Sequence, residues 1–275
     1  MRGSCPGPSP ANARYGGNTA AVTVASGDGQ VLLLDLGTGV RTVPMPAGRP
    51  FRGTALVTHL HFDHVQGLPF FPPLLEPGTS LDVVAPEQEA GDLAGAFAGF
   101  IRPPYFPLAL DDLPGTVRFR PVQRDVFQVG PATVTVRPVP HLGPTVGYRI
   151  DCDGSSLAYV SDHQAPATLD DVPAPVLELC DGVDLLIHDA QYTAEEFAGK
   201  GRWGHSTVGY AVRVATAAGA RRLCLFHHDP DHDDDLLDEM AEHARRRAGP
   251  SLEVTAASEG LVVELASRSR PEGGH

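Results

Sequence analysis

The chain has 275 residues, of which 42% are apolar and 20% charged, a composition typical of a soluble globular protein. No apolar run approaches the roughly 20 residues that a membrane helix needs, which excludes a transmembrane protein. The 21 basic and 34 acidic residues give a net charge of −13. This balance argues against a nucleic-acid partner, because affinity for polyanions depends on Lys and Arg.

Glycine and proline are frequent, at 30 and 26 residues, and favour many short strands joined by tight turns. The apolar runs at 20–25 and 30–36 are separated by Gly27-Asp28-Gly29 and predict a β-hairpin. Further strands are predicted, in chain order, at 55–58, 81–85, 116–122, 132–139, 145–150, 156–161, 184–188, 222–226, 252–255 and 261–265.

Three helices are predicted from apolar spacing and end signals, at 86–100, 206–218 and 233–248. The last begins with acidic residues and ends with three arginines, an order that suits the helix dipole. Strands dominate the first half, and strands alternate with helices in the second. The pattern therefore predicts packed sheets flanked by helices, with neither repeats nor a linker.

The cysteines and the N-terminus bear on the compartment. The four cysteines lie far apart and form no C-x-x-C pair, which is typical of a reducing environment. Residues 1–10 contain no apolar segment of the kind that directs export. We therefore predict a cytoplasmic protein.

Three histidines and an aspartate fall within six residues, directly after the strand predicted at 55–58. The segment 58–67 reads T-H-L-H-F-D-H-V-Q-G and contains His59, His61, Asp63 and His64. Histidine and aspartate are ligands that borderline and hard divalent metals prefer. In an extended segment His59 and His61 point the same way, whereas Asp63 and His64 turn toward a second position. The segment therefore predicts a metal site.

Single residues of the same types end three later predicted strands: His141, Asp162 and His227. Each stands where a buried strand would emerge at a sheet edge, and ligands on such a rigid scaffold suit a preorganised site. A catalytic metal site needs several protein ligands and an open position for water. We therefore expect these three residues to complete the site.

The order of these residues resembles the metallo-β-lactamase superfamily, in which a His-x-His-x-Asp-His motif precedes separate His, Asp and His ligands. The resemblance covers residues 15–265. It implies an α+β fold, the four-layer αββα sandwich of that superfamily, as a single hydrolase domain over residues 1–275 with its core at about 15–265.

The resemblance also implies two divalent metal ions, with zinc expected and manganese or iron as alternatives. The ligands that it implies are His59, His61 and His141 for the first ion, Asp63, His64 and His227 for the second, and Asp162 bridging both. True β-lactamases of this fold usually carry cysteine where this chain has Asp162, which argues against antibiotic hydrolysis.

Two short segments refine the reaction. Residues 186–192 read L-I-H-D-A-Q-Y and residues 204–207 read G-H-S-T. They resemble the acidic and His-Ser-Thr boxes of the superfamily's phosphodiesterase branch, which includes the tRNA 3′-processing endonucleases. The resemblance implies that His205 protonates the leaving oxygen and that Asp189 orients it, and an imidazole beside a carboxylate is a suitable donor near neutral pH. Asp63, His205 and Asp189 are the predicted catalytic residues.

The N-terminal residues R-G-S at 2–4 and R-Y-G-G-N-T at 14–19 resemble the phosphoribosyl cyclic phosphodiesterase-like group of the same superfamily. Two metal ions suit phosphodiester hydrolysis because they can share one hydroxide and neutralise an anionic diester. We therefore predict a dinuclear metal-dependent phosphodiesterase that hydrolyses a small or cyclic phosphodiester through a metal-bridging hydroxide. The expected partner is that small molecule, with nucleic acid and membranes disfavoured.

Three alternatives stay open. A tRNA 3′-processing-type endoribonuclease shares the boxes, but that family inserts a long basic arm where this chain has only 20 residues between His141 and Asp162. A thioester or lactone hydrolase of the same fold shares the ligand set. A non-catalytic metal-binding protein would need a damaged ligand set, and none of the seven positions is damaged.

The aromatic, proline-rich segment 99–110 is interpreted as a loop packed over the core edge, with a lid or a homodimer contact as alternatives.

Overall fold

The computed structural model describes residues 1–27, 29–43, 50–89 and 91–266, and within them twelve strands form two sheets. The five strands of the first sheet are β1 to β5: Val22–Ala25, Val31–Leu34, Arg52–Leu56, Ser80–Pro86 and Thr116–Val122. The seven strands of the second sheet are β6 to β12: Val126–Val129, Ala132–Pro138, Val146–Cys152, Ser155–Val160, Leu185–Asp189, Arg222–Phe226 and Glu253–Ala256.

The first sheet keeps the strands in chain order, with β1 antiparallel to β2 and the remaining neighbours parallel. The pairing of β1 with β2 confirms the predicted hairpin; Asp28 of its turn lies outside the described residues. The second sheet has the order β12-β11-β10-β9-β8-β7-β6. Its strands are parallel from β12 to β9 and antiparallel from β9 to β6.

The described part of the chain contains six α-helices, α1 to α6: Phe62–Val65, Leu93–Ala98, Ala174–Cys180, Ala194–Lys200, Val208–Ala217 and Asp234–Ala248. Short 3-10 helices lie at Pro10–Asn12, Thr38–Thr42, Leu68–Phe70, Pro72–Leu75, Leu110–Asp112 and Gly249–Ser251. Helices α3, α5 and α6 contact the seven-stranded sheet, and α2 contacts the five-stranded sheet. None of the helices in the described ranges combines the length and the apolar character needed to cross a bilayer.

Three apolar clusters separate these layers. One lies between the two sheets and contains Leu34 and Leu185, whereas a second, with Leu186 and Val214, lies between the seven-stranded sheet and its helices. The third packs α2 on the five-stranded sheet through Phe97. Consecutive residues of β10, Leu185 and Leu186, thus enter different clusters, as the two faces of a strand require. The layer order of helix, sheet, sheet and helix confirms the predicted αββα sandwich.

The helix predicted at 86–100 is wrong at its start. Strand β4 continues through Pro86, which pairs with Val122 of β5. Helix α2 begins only at Leu93, with Asp92 as its N-cap, and the preceding Gly91 has a φ of 132° that a helix does not accept. Residue 90 of the predicted helix lies outside the described residues.

The strand predicted at 261–265 is also wrong. The carbonyls of Glu264 and Ala266 accept hydrogen bonds from the side chains of Arg222 and Ser155, where a strand would use the backbone of a neighbour. Val263 and Leu265 pack against the apolar cluster between the sheets. The apolar residues of this segment therefore reflect burial of one face, through Val263 and Leu265, without pairing to a neighbouring strand.

Candidate metal centre

The residues predicted to carry the chemistry meet at one edge of the two sheets. His59 follows β3, His141 follows β7, Asp162 follows β9 and His227 directly follows β11, while Asp189 is the last residue of β10. Strands β7, β9, β10 and β11 run in the same direction, so that their C-terminal ends lie at one edge of the seven-stranded sheet, where ligands of open α/β sheets bind. The segment after β3 meets this edge, since the amide of Val146 at the start of β8 donates to the carbonyl of Thr58.

The His-rich segment divides its side chains into two groups because its backbone changes conformation. His59 and His61 precede helix α1, and His61 has the extended backbone of an N-cap residue, with φ −62° and ψ 150°. Asp63 and His64 lie within the helix and are buried. The first pair therefore points to one group of ligand atoms and the second pair to another.

The carboxylate of Asp162 lies between these two groups. Its Oδ2 is 3.7 Å from Nε2 of His59 and 3.8 Å from Nε2 of His141. Its Oδ1 is 3.2 Å from Nε2 of His64 and 3.4 Å from Nε2 of His227. The side chain is buried, with 2% of the residue exposed. Each oxygen of Asp162 therefore faces a different set of histidines.

Each group is tight. In the first, Nδ1 of His61 is 3.2 Å from Nε2 of His141. In the second, Oδ2 of Asp63 is 3.1 Å from Nε2 of both His64 and His227. The Nε2 atoms of His64 and His227 are themselves only 3.3 Å apart. The seven predicted ligands are thus brought together as two sets that share Asp162.

The donor set fits divalent metal ions. Nε2 of His59 is buried and has no hydrogen-bond partner among the described residues, although buried polar atoms nearly always have one. Within each of the sets His59–His61–His141 and Asp63–His64–His227, the ligand atoms lie within 4.8 Å of one another. Imidazole nitrogens and carboxylate oxygens are suitable ligands for zinc, manganese and iron.

A further contact orients each of four histidines through its Nδ1 atom. The partners are Oγ1 of Thr58 for His59 at 3.1 Å, Oδ2 of Asp35 for His64 at 2.8 Å, the carbonyl of Gly204 for His141 at 2.7 Å and Oε1 of Gln191 for His227 at 2.9 Å. Such contacts fix the ring and leave Nε2 as the atom that can bind a metal.

Asp35 is a site residue that the sequence reasoning missed. It is fully buried and accepts hydrogen bonds from the backbone of Thr58 at 2.7 Å and from the hydroxyl of Tyr159 at 2.8 Å. A signal was present, because Asp35 ends the apolar run of β2 as Asp162 and His227 end theirs. Gln191 was missed as well, although it lies inside the segment recognised at 186–192.

The charges of the site suit metal binding. Burial would raise the pKa of Asp162, but the neighbouring histidines outweigh it and hold this pKa well below its usual range. Burial and the proximity of His64 lower the pKa of His59 well below its ordinary value, so that this ring is neutral. Burial opposes protonation of His64, but three carboxylates, led by Asp63, raise its pKa well above normal. A metal ion at His64 competes with that proton.

His205 and Asp189 form a pair beside the ligands. Nδ1 of His205 lies 3.0 Å from Oδ2 of Asp189 and 3.6 Å from Oδ2 of Asp162. Burial would lower the pKa of His205, but Asp189 and then Asp162 raise it to about 9. Asp189 is itself fixed by the backbone amides of His163 and Gln191. His205 also lies close enough to Asp162 and His227 to be grouped with them as a ligand.

The N-terminal segment contacts the second set of ligands closely. The amide of Ser4 donates to Oδ2 of Asp63 at 2.8 Å, and a Cβ added to Gly3 would lie 2.3 Å from the ring of His227. Ser4, Asp35 and His227 have φ values of 61°, 59° and 58°, a conformation that non-glycine residues rarely adopt. Backbone strain is therefore concentrated at this centre, as at many functional sites.

The centre opens into a cleft of about 310 Å³ that is lined by Ser4, His61, Phe62, Trp203 and His205, among others. A larger cavity of about 940 Å³ lies between the sheets and is mostly apolar. The larger cavity is lined by none of the predicted site residues, whereas the smaller cleft adjoins them.

Comparison with known proteins places the chain in a family. The sequence pattern of the beta-lactamase superfamily domain matches residues 32–228. The protein belongs to the beta-lactamase superfamily. This membership confirms the resemblance to the superfamily, and the prediction of a metal-dependent hydrolase is confirmed with it.

Relatives of this superfamily member include proteins named ribonuclease Z. The one from Haloferax volcanii is 31% identical over 242 residues, covering 73% of this chain and 76% of that protein. The one from Brevibacillus brevis is 35% identical over 98 residues, which are 36% of this chain but only 31% of the relative. We expected nucleic acid to be disfavoured as a partner, and the names of these relatives do not support that expectation.

Solved structures show the same fold at low identity. The metallo-beta-lactamase fold protein YhfI from Bacillus subtilis superposes with a TM-score of 0.68 at 20% identity, covering 94% of both chains. A diphosphatase of the PhnP family gives a TM-score of 0.62 at 21% identity, covering 91% of this chain and 86% of the other.

Proposed function

We propose that this hydrolase is a dinuclear metal-dependent phosphodiesterase that acts on a small or cyclic phosphodiester. The observation that carries the proposal is the position of Asp162, whose two carboxylate oxygens face two separate sets of ligand atoms. A carboxylate in this position suits two cations at one site, and paired cations suit phosphodiester hydrolysis.

In this proposal the first ion is held by His59, His61 and His141, the second by Asp63, His64 and His227, and Asp162 binds both. Zinc is the expected ion, with manganese and iron as alternatives that the same donors accept. When bound, two such cations would lower the pKa of a water molecule and neutralise the charge of the phosphodiester.

His205 is proposed as the proton donor to the leaving oxygen. Its Nδ1 is engaged by Asp189 at 3.0 Å, which leaves Nε2 as the nitrogen that donates to substrate, and the side chain lines the cleft. The nearby carboxylates favour the protonated ring, which is the form that a general acid needs. Asp189 holds the ring in the required tautomer, and Asp63 acts as a ligand and as an acceptor for the amide of Ser4.

A small substrate is favoured by the size of the site. The cleft measures about 310 Å³, at the lower end of the range for small-molecule pockets. The 20 residues between His141 and Asp162 are largely taken up by β8 and β9, which pair as a hairpin. A substrate-binding arm of the kind expected for a tRNA endonuclease is therefore absent from this described part of the chain.

A tRNA 3′-processing-type endoribonuclease is the second candidate, because the Haloferax volcanii relative named ribonuclease Z matches across 242 residues. The two candidates share the metal centre and differ in how the rest of the substrate is held. The cytoplasmic location and the single domain over residues 1–275 also stay predictions, and a homodimer contact stays an alternative for the segment 99–110.

The test uses the metal-loaded protein with two substrates. We expect steady turnover of bis(p-nitrophenyl) phosphate and no cleavage of a precursor tRNA that carries a 3′ trailer, with Asp162→Ala as the variant that loses activity. Specific cleavage of the precursor at the trailer would support the second candidate instead. Failure to hydrolyse any phosphodiester with two ions bound would contradict both and would favour a thioester or lactone substrate.

A further inference from the structure

Two aromatic side chains at the cleft are exposed to an extent that packing does not explain. Phe62 is 59% exposed and Trp203, the single tryptophan of the chain, is 61% exposed. Both line the same cleft as His61 and His205. Pockets for small molecules characteristically combine aromatic rings with a few fixed polar groups. These rings are thus placed to contact whatever enters the cleft.

The backbone that carries Trp203 is held firmly. The side-chain amide of Gln164 donates to the carbonyl of Gly201 at 2.8 Å and accepts from the amide of Gly204 at 2.7 Å, so it joins both ends of the turn. Within the turn, the amide of Trp203 donates to the carbonyl of Lys200 at 2.9 Å. Because the turn is already fixed, contact with the indole does not require the backbone to be ordered on binding.

The ring of Phe62 is supported by a neighbouring aromatic ring. Phe62 is the first residue of α1 and lies between His61 and Asp63 in the chain. Its ring contacts the ring of Phe100 edge to face, with the centroids 5.5 Å apart. Phe100 belongs to the aromatic segment 99–110, so this contact gives that segment a role in supporting the cleft.

The ammonium group nearest to the Trp203 ring is already paired with a carboxylate. The ammonium of Lys200 lies 5.8 Å from the centroid of the Trp203 ring and 3.3 Å from Oδ2 of Asp229. Its charge is therefore balanced by a carboxylate. The exposed part of the indole offers a flat and uncharged contact surface.

We propose that Phe62 and Trp203 form a stacking site for an unpaired nucleobase, so that the substrate is a nucleotide phosphodiester. The inference rests on the proposed function, because the metal centre and the stacking site would bind two parts of one molecule. Phe62 adjoins two proposed ligands in the chain, and Trp203 is two residues from His205. Stacking on aromatic side chains accepts every base, since each has a π-face.

The charge of the protein agrees with a substrate whose phosphate is bound at the metal centre and whose base is bound by the aromatic side chains. A net charge of −13 is unfavourable for holding a long polyanion. A single nucleotide ester needs only its one phosphate neutralised, and its base adds affinity through an uncharged contact. The cleft of about 310 Å³ is of a size for such a ligand.

The experiment compares two p-nitrophenyl phosphodiesters that differ only in the base, namely the 5′-phosphate esters of thymidine and of abasic 1,2-dideoxyribose. We measure kcat/KM for both with the metal-loaded wild-type protein, Trp203→Leu, Trp203→Phe and Phe62→Leu, and determine the metal content of each. The control is Tyr105→Leu, because Tyr105 is an aromatic residue that is 75% exposed but does not line the cleft.

The wild-type protein should prefer the thymidine ester, and the preference should fall about tenfold in Trp203→Leu and in Phe62→Leu, as expected when one stacking contact is lost. Trp203→Phe should keep most of the preference, and Tyr105→Leu all of it. Equal kcat/KM for both esters in the wild-type protein, or a preference that survives both leucine variants, would overturn the stacking site while leaving the phosphodiesterase intact. Hydrolysis of neither ester would instead contradict the proposed function itself.

Discussion

The carboxylate of Asp35 lies 2.8 Å from Nδ1 of His64, while Nε2 of the same ring faces Asp63 and Asp162. Asp35 comes from the end of β2, in the five-stranded sheet, and Tyr159, which donates to it, comes from β9 of the other sheet. The orientation of a proposed metal ligand thus depends on a buried contact that joins both sheets.

Replacement of Asp35 by asparagine should weaken metal binding about 10- to 100-fold, as is usual when a group that orients a ligand is changed. The amide keeps the shape of the side chain but removes the negative charge. That charge favours the tautomer of His64 with its hydrogen on Nδ1, which leaves Nε2 for the metal. Metal affinity is measured by titration of the stripped protein. The matched control is Asp184→Asn, because Asp184 is also buried and accepts from the amide of Ser156, at the opposite edge of the sheet. Equal loss in both variants would contradict a specific role for Asp35.

Replacement of Gly3 by alanine should displace His227, because the added Cβ would lie 2.3 Å from its imidazole ring. We expect loss of the ion proposed for Asp63, His64 and His227, together with most of the activity. Elemental analysis of the purified variant gives the number of ions per chain. Gly199→Ala is the control, since a Cβ at Gly199 meets no atom within 4 Å. Two tightly bound ions in Gly3→Ala would show that the segment moves aside without cost.

Replacement of His205 by alanine should slow a diester with an alkyl leaving group by about 10²- to 10⁴-fold, the usual contribution of a general acid. A diester with an acidic phenol as leaving group should be affected far less, because a good leaving group needs little protonation. The rates of both diesters are compared at equal metal content. Equal losses on the two substrates would rule out the donor role, and loss of metal would identify His205 as a ligand.

Much of the site was predictable because polar residues follow the ends of apolar strands. One short segment is unusually rich in metal-binding side chains, namely His59, His61, Asp63 and His64. Asp162 and His227 each stand at the end of an apolar run. Parallel strands then bring such ends to one edge. The same rule applies to Asp35, but a single aspartate before a glycine-rich turn also suits an ordinary loop, and nothing local separates the two cases.

Tertiary contacts decided the elements that were wrong. The segment at 261–265 is apolar, as a buried strand would be, yet the carbonyl of Glu264 accepts a hydrogen bond from the guanidinium of Arg222. Pro86 suggested a helix start, but as the last residue of β4 its missing N–H does not prevent pairing with Val122. Contacts of this kind join residues far apart in the chain and leave no local pattern.

The central claim, a pair of metal ions bridged by Asp162, is tested most directly by titrating stripped protein with zinc while following hydrolysis of bis(p-nitrophenyl) phosphate, in the wild-type protein and in Asp162→Ala. We predict that turnover of the wild-type protein rises to its maximum as the second ion binds, and that Asp162→Ala loses both metal and activity. Full activity with one ion, or full metal content and normal turnover in Asp162→Ala, would contradict the account.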